Sequence, residues 1–190
     1  KGKIEKKIQI KNATNNDWED LSSDPSGNIY IGDFGNNDND RQNLAIYKIN
    51  HEDLSKNAAN IALKTTFYYP DQKLFPPKKS NRIYDAEAFF YWDNNFYIIS
   101  KNRSSGFDGT TILYKIPAKE GNFAAQKIAE FKTCSQYKSC AITSAAITSD
   151  GKKVVLLSSD KIWLFSNFTK DQFFSGNIEQ LDLGHFSQKE

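Results

Sequence analysis

The chain has 190 residues, with 25 Lys and Arg against 23 Asp and Glu, and no methionine. Its basic residues are scattered rather than gathered on one stripe, which excludes the electrostatic footprint of a nucleic-acid binder, and no run is long and apolar enough for a membrane span. The length and composition suit one folded domain with a sizeable core, and the missing initiator Met leads us to expect a processed product or a fragment.

Taken in chain order, residues 3–10 (Lys-Ile-Glu-Lys-Lys-Ile-Gln-Ile) alternate polar and apolar residues as a strand does. They read as the outer strand of a preceding unit that occupies residues 1–16. Asp17-Trp-Glu-Asp-Leu then leads through Pro25-Ser26-Gly27 into Asn-Ile-Tyr-Ile-Gly-Asp33, a hairpin with turn chemistry at its centre. The pattern recurs at Asp85-Ala-Glu-Ala-Phe-Phe-Tyr-Trp, with Asp93-Asn94-Asn95 in the turn, and again at Ser144-Ala-Ala-Ile, with Asp150-Gly151. Each hairpin is followed by a third strand, at residues 44–50, 111–116 and 161–165, and by a more polar fourth strand at residues 61–69, 126–132 and 177–183. One helical turn is expected within residues 51–62, and residues 70–81 read as a long irregular connection.

Self-similar four-stranded antiparallel units with little helix predict an all-β fold of β-propeller blades, because such sheets bury both faces against their neighbours. The blades are placed at residues 17–69, 85–132 and 141–183, with residues 187–190 beginning another. Three blades do not close a ring, so the expected parent has about six, some lying on both sides of this segment. Aromatic residues make up 14% of the chain, enough to fill the wedges between sheets, and that packing role is expected for most of them.

Cys134 and Cys140 stand with five residues between them and no His nearby. The spacing fits a small disulfide loop in an oxidising compartment, which implies a secreted, periplasmic or cell-surface protein; two unpaired thiols are the alternative. The blocks Asp17-Trp18-Glu19-Asp20, Gly32-Asp33-Phe34-Gly35-Asn36-Asn37 and Asp85-Ala86-Glu87-Ala88 resemble exported bacterial six-bladed propellers of the TolB-like and NHL-like kind. More distantly, the layout is similar to calcium-dependent lactonases of the paraoxonase type and to propeller phytases. That resemblance implies a cation held in a central channel by acidic side chains from the starts of inner strands.

Aligning the units on their first strands puts Glu19, Glu87 and Glu190 at one position, with Ala145 there in the third unit. Carboxylates that converge repel one another unless a cation or basic group intervenes. The metal-ligand candidates are therefore Asp17, Glu19, Asp33, Asp85 and Glu87, with Ca2+ as the metal; the ligand-binding candidates are Glu19, Glu87, Asn36, Lys101 and Arg103. Pairing of the carboxylates with Arg41, Lys101 or Arg103, or with backbone amides, is the competing expectation. The loop from Asp33 to Arg41 is rich in oxygen ligands but lacks the Gly and closing Glu of an EF-hand, so a plain surface loop is the expectation there ahead of a calcium site. His51 and His185 have no ligand partners at metal spacing, and no Ser sits in a Gly-x-Ser-x-Gly elbow. Two functions stay open: a binding or scaffold module that presents channel-mouth loops to a protein, peptide or glycan, and a calcium-dependent hydrolase of the lactonase or phosphoesterase kind.

Overall fold

The computed structural model describes residues 2–184; Glu190, His185 and the expected start of a further blade at residues 187–190 lie outside the described residues. The chain is all-β. Its first large sheet holds β2 (Trp18–Ser23), β3 (Ile29–Asp33), β4 (Leu44–Ile49) and β6 (Leu63–Tyr68) as an antiparallel meander. The second holds β7 (Asp85–Trp92), β8 (Asn95–Lys101), β9 (Thr110–Pro117) and β11 (Gln126–Lys132), and the third β12 (Ser144–Ile147), β13 (Lys153–Leu157), β14 (Lys161–Ser166) and β15 (Asn177–Asp182). The first strands of the three sheets adjoin, β2 against β7 and β7 against β12.

The repeat becomes packing through the period-two alternation of strands, which sends successive side chains to opposite faces. In the second sheet, Phe89, Phe96 and Ile98 face the first sheet, where they meet Phe34, Leu44, Ile46 and Phe67. Their chain neighbours Phe90, Tyr97 and Ile99 face the third sheet and pack with Val154, Leu156, Trp163 and Phe165. Both faces of the second sheet are therefore core, and its strands read as nearly unbroken apolar runs for that reason. Aromatic rings carry much of the contact: Phe34 meets Phe89 edge-on at 5.3 Å and Tyr97 meets Phe173 edge-on at 4.9 Å, the geometry that ring quadrupoles favour.

Two features depart from the sequence reading. The N-terminal strand is only β1 (Gln9–Lys11), and it pairs in parallel with a short β5 (Ala58–Asn60) in the connection between β4 and β6. Ile8 and Ile10 thereby cover the outer face of the first sheet, against Ile31, Tyr47 and Ile49. The second departure is β10 (Gly121–Ala124), which leaves the second unit and pairs in parallel with β6. Hydroxyl donation from Thr65 to the Lys119 carbonyl, at 2.8 Å, fixes that crossing, so adjacent sheets are joined by backbone pairing as well as by side chains.

The connection through residues 70–81 is irregular apart from a 3-10 turn at Lys79–Asn81, and another such turn covers His51–Ser55. Cys134 and Cys140 form a disulfide with their Cα atoms 5.5 Å apart, which closes a loop around the one-turn helix α1 (Tyr137–Cys140). No helix among the described residues is long and apolar enough to cross a membrane.

Candidate functional site

Two of the three first strands carry a β-bulge where the glutamate recurs. In β2 the register shifts between Trp18 and Leu21, so that Glu19 and Asp20 together oppose Gly32. In β7 it shifts between Ala86 and Ala88, which makes Glu87 the extra residue. A bulge interrupts the alternation and re-aims the side chain it carries, and the two glutamates near the starts of their strands are close enough for the Glu87 charge to act on Glu19. The register of β12 with β13 runs unbroken through Ala145, so the third sheet has neither the glutamate nor the bulge.

Around this point the sequence candidates separate into three groups. Asp85, fully buried, accepts from Arg103 Nε at 2.6 Å and from the Asn36 backbone N–H at 2.7 Å. Arg103 also gives Nη2 to Glu87 Oε1 at 2.7 Å and Nη1 to the Tyr137 hydroxyl at 2.6 Å, and Lys101 pairs with the other Glu87 oxygen. Burial pushes the Asp85 carboxyl upward against the pull of Arg103. Arg103 itself is raised, since Asp85, Tyr137 and Glu87 outweigh its own desolvation.

Asp33 belongs to a second group. It is fully buried and accepts from the Asp17 backbone N–H at 2.9 Å, from Asn16 Nδ2 at 2.9 Å and from Arg41 Nη2 at 3.1 Å. Asn36 is 2% exposed, and its amide is spent on the chain, donating to the Tyr84 carbonyl ahead of β7 and accepting from the Arg41 N–H of its own loop. The Asp33–Arg41 loop is thus tied both to itself and to the residue before β7, with Asn39 accepting from the Tyr84 N–H and donating to the Asn36 carbonyl. Asn36 is a joint between the first and second units rather than a group open to a ligand.

Glu19 and Asp17 form the third group. Both carboxylates lie against Gly35, where a Cβ would overlap Glu19 Oε1 and Asp17 Oδ2. Glu19 has no hydrogen-bond or ion-pair partner among the described residues. Its carboxyl is pushed up to about 8, first by burial, then by the neighbouring charges of Glu87, Asp17 and Asp85, with Lys101 acting the other way. At neutral pH it is largely a protonated acid able to donate one hydrogen bond. A half-buried carboxyl with such a shift, set in a cluster of charges, is the strongest mark of a functional site in the chain.

Three contributors are not evident from the repeat. Asp20, next to Glu19 on the bulge, accepts from the Phe89 N–H at 3.4 Å, the Ala145 N–H at 3.3 Å and the Ser144 hydroxyl at 3.1 Å, so one carboxylate ties together the first strands of all three sheets. Gly35 leaves room for the two carboxylates. Tyr137 reaches Arg103 from inside the disulfide loop, where nothing in the sequence connects it to residues of the second unit. The Gly in the Gly-Asp-Phe-Gly block and the Tyr between the cysteines were the only signals available.

Asp33, Asp85 and Glu87 already bind guanidinium or ammonium groups of the chain, and among the described residues no group of three or more His, Cys, Asp or Glu side chains is placed to hold a metal ion. A metal ion bound to Asp85 or Glu87 would have to displace Arg103 or Lys101. No protein-family model matches the chain, and no curated protein matches it in sequence.

Proposed function

We propose that the chain is part of an exported β-propeller, of the TolB-like or NHL-like kind and about six-bladed, that acts as a binding module through the mouth formed by the starts of its first strands. Three four-stranded meanders with adjoining first strands support the blade reading, and the disulfide supports an oxidising compartment. The partner is a protein or peptide that presents a basic side chain. The observation that carries this is Glu19, an unpaired carboxyl among the described residues, in a cluster with Asp17, Asp85 and Glu87 where Lys101 and Arg103 pair with Asp85 and Glu87. A guanidinium or ammonium group seated there would lower the Glu19 pKa and gain a charge-assisted hydrogen bond. The hydrolase reading is weaker because three of its five metal-ligand candidates, Asp33, Asp85 and Glu87, are paired with the protein's own cations.

Calorimetric titration with short Arg- and Lys-containing peptides tests the proposal. Binding should tighten from pH 6 to pH 9, as Glu19 ionises, and should weaken about tenfold in Glu19→Gln, the loss of one charge-assisted contact. Peptide binding indifferent to both pH and the substitution, or tight calcium binding that Glu19→Gln abolishes, would overturn it. A structure of a longer chain in which the sheets stack openly instead of closing would remove the propeller.

A further inference from the structure

At the opposite end of the same first strands, roughly 20 Å along β7 from Asp85 at strand spacing, the three hairpin tips enclose a cavity of about 530 Å3. It is lined by Tyr91, Trp92, Asp93 and Asn94 from the second unit, by Thr148 and Ser149 from the third, and by the Ser23–Pro25 corner of the first. That volume lies within the roughly 300–1,000 Å3 range of small-ligand clefts. We propose that this cavity is a saccharide site, taking one or two rings of a neutral glycan.

The tips are built to be rigid. Asp93 and Asn94 both have positive φ, 46° and 56°, the backbone of a tight two-residue hairpin turn. The Tyr91 ring is stacked on Tyr30 at 5.1 Å with planes 6° apart, and its hydroxyl donates to Asn94 Oδ1 at 2.9 Å. The Trp92 indole lies against Gly151, where a Cβ would overlap its six-membered ring. The aromatic surface is therefore held in place before any ligand arrives, which keeps the ordering cost of binding low.

The polar groups around it point to the ligand class. Among the described residues, the Trp92 indole N–H, the Asp93 carboxylate and the Ser149 hydroxyl have no hydrogen-bond or ion-pair partner, and the Asn94 amide has spent only its oxygen. A pyranose presents an apolar C–H face, which suits the electron-rich face of an aromatic ring, and hydroxyls at its rim, which suit free carboxylate, amide and hydroxyl groups. A purely apolar ligand would leave those groups desolvated without partners, at a cost. The lining carries Asp24 and Asp93 and no Lys or Arg, so uronic or sulfated sugars are disfavoured.

The test is a tryptophan-fluorescence titration with neutral trisaccharides of glucose, mannose and N-acetylglucosamine, with a galacturonic acid trisaccharide and a proline-rich peptide as competitors of other chemistry. At least one neutral trisaccharide should give saturable binding, with a Kd on the order of 1 mM, the weak end expected of a half-open cleft. The galacturonate should bind at least about tenfold more weakly, for want of a cation in the lining. Trp92→Ala should abolish binding. Asp93→Gly, which removes the carboxylate and keeps the positive-φ turn, should weaken it about fivefold, the worth of one hydrogen bond. Glu19→Gln should leave it unchanged, which separates this site from the one at the strand starts. No response to any neutral trisaccharide, tighter binding of the galacturonate or of the proline-rich peptide, or full binding by a folded Asp93→Gly would overturn the proposal.

Discussion

The state of Glu19 can be tested through stability as well as through binding. Its carboxyl rises from 4.5 to about 8 on folding, first through burial and then through the charges of Glu87, Asp17 and Asp85. A carboxyl whose pKa is higher folded than unfolded holds its proton more tightly in the folded chain. Its favourable contribution is complete below 4.5 and is lost as the pH rises through about 8. One pKa unit corresponds to about 1.4 kcal/mol, but Glu19 is only half-buried and solvent screens its neighbours, so we reduce the full conversion to about 1–2 kcal/mol. Glu19→Gln keeps the shape and removes the charge. Urea unfolding of the two proteins should give equal stabilities near pH 4.5, and at pH 9 the variant should be the more stable by about 1–2 kcal/mol. Asp20, also raised by burial, contributes equally to both proteins, whereas Asp85 and Glu87 are coupled to Glu19, so the difference reads the Glu19 charge together with those couplings. Parallel stability curves across this range would refute the crowded, half-buried environment on which the binding reading depends.

Further outcomes follow from the same contacts. Gly35→Ala places a Cβ on Glu19 Oε1 and Asp17 Oδ2; both side chains must move toward water, and the Glu19 titration, followed by carboxyl NMR, should fall back toward the ordinary range. Asp20→Ala leaves the Phe89 and Ala145 N–H groups and the Ser144 hydroxyl without their acceptor, and should cost about 1–3 kcal/mol in chemical unfolding. Replacing Cys134 and Cys140 by Ser opens the short loop that carries Tyr137, with an expected loss of about 2 kcal/mol. Tyr137→Phe removes the acceptor of Arg103 Nη1 and should weaken binding of a basic peptide less than Glu19→Gln does, since Asp85 and Glu87 still hold the guanidinium.

By itself, the sequence determined the strand pattern. Apolar alternation broken by Pro-Ser-Gly, Asp-Asn-Asn and Asp-Gly turns is a local signal, and it places β2 to β4, β7 to β9 and β12 to β14 in series because turn chemistry and the period of two act over a few residues. The recurring Glu19 and Glu87 were legible for the same reason, as was the five-residue gap that lets Cys134 and Cys140 close a loop. The tertiary structure decided what these groups meet. Register shifts in β2 and β7 re-aim the glutamates, Arg103 pairs with Asp85 and Glu87, and Asp33 and Asn36 are taken up by polar groups of the first unit and of Tyr84. The parallel additions of β1 and β10, and the span of Asp20 from residue 20 to residue 145, join positions too far apart in the chain for any local pattern to foresee. Coulomb attraction and desolvation depend on distance in space, and only the packed sheets set those distances.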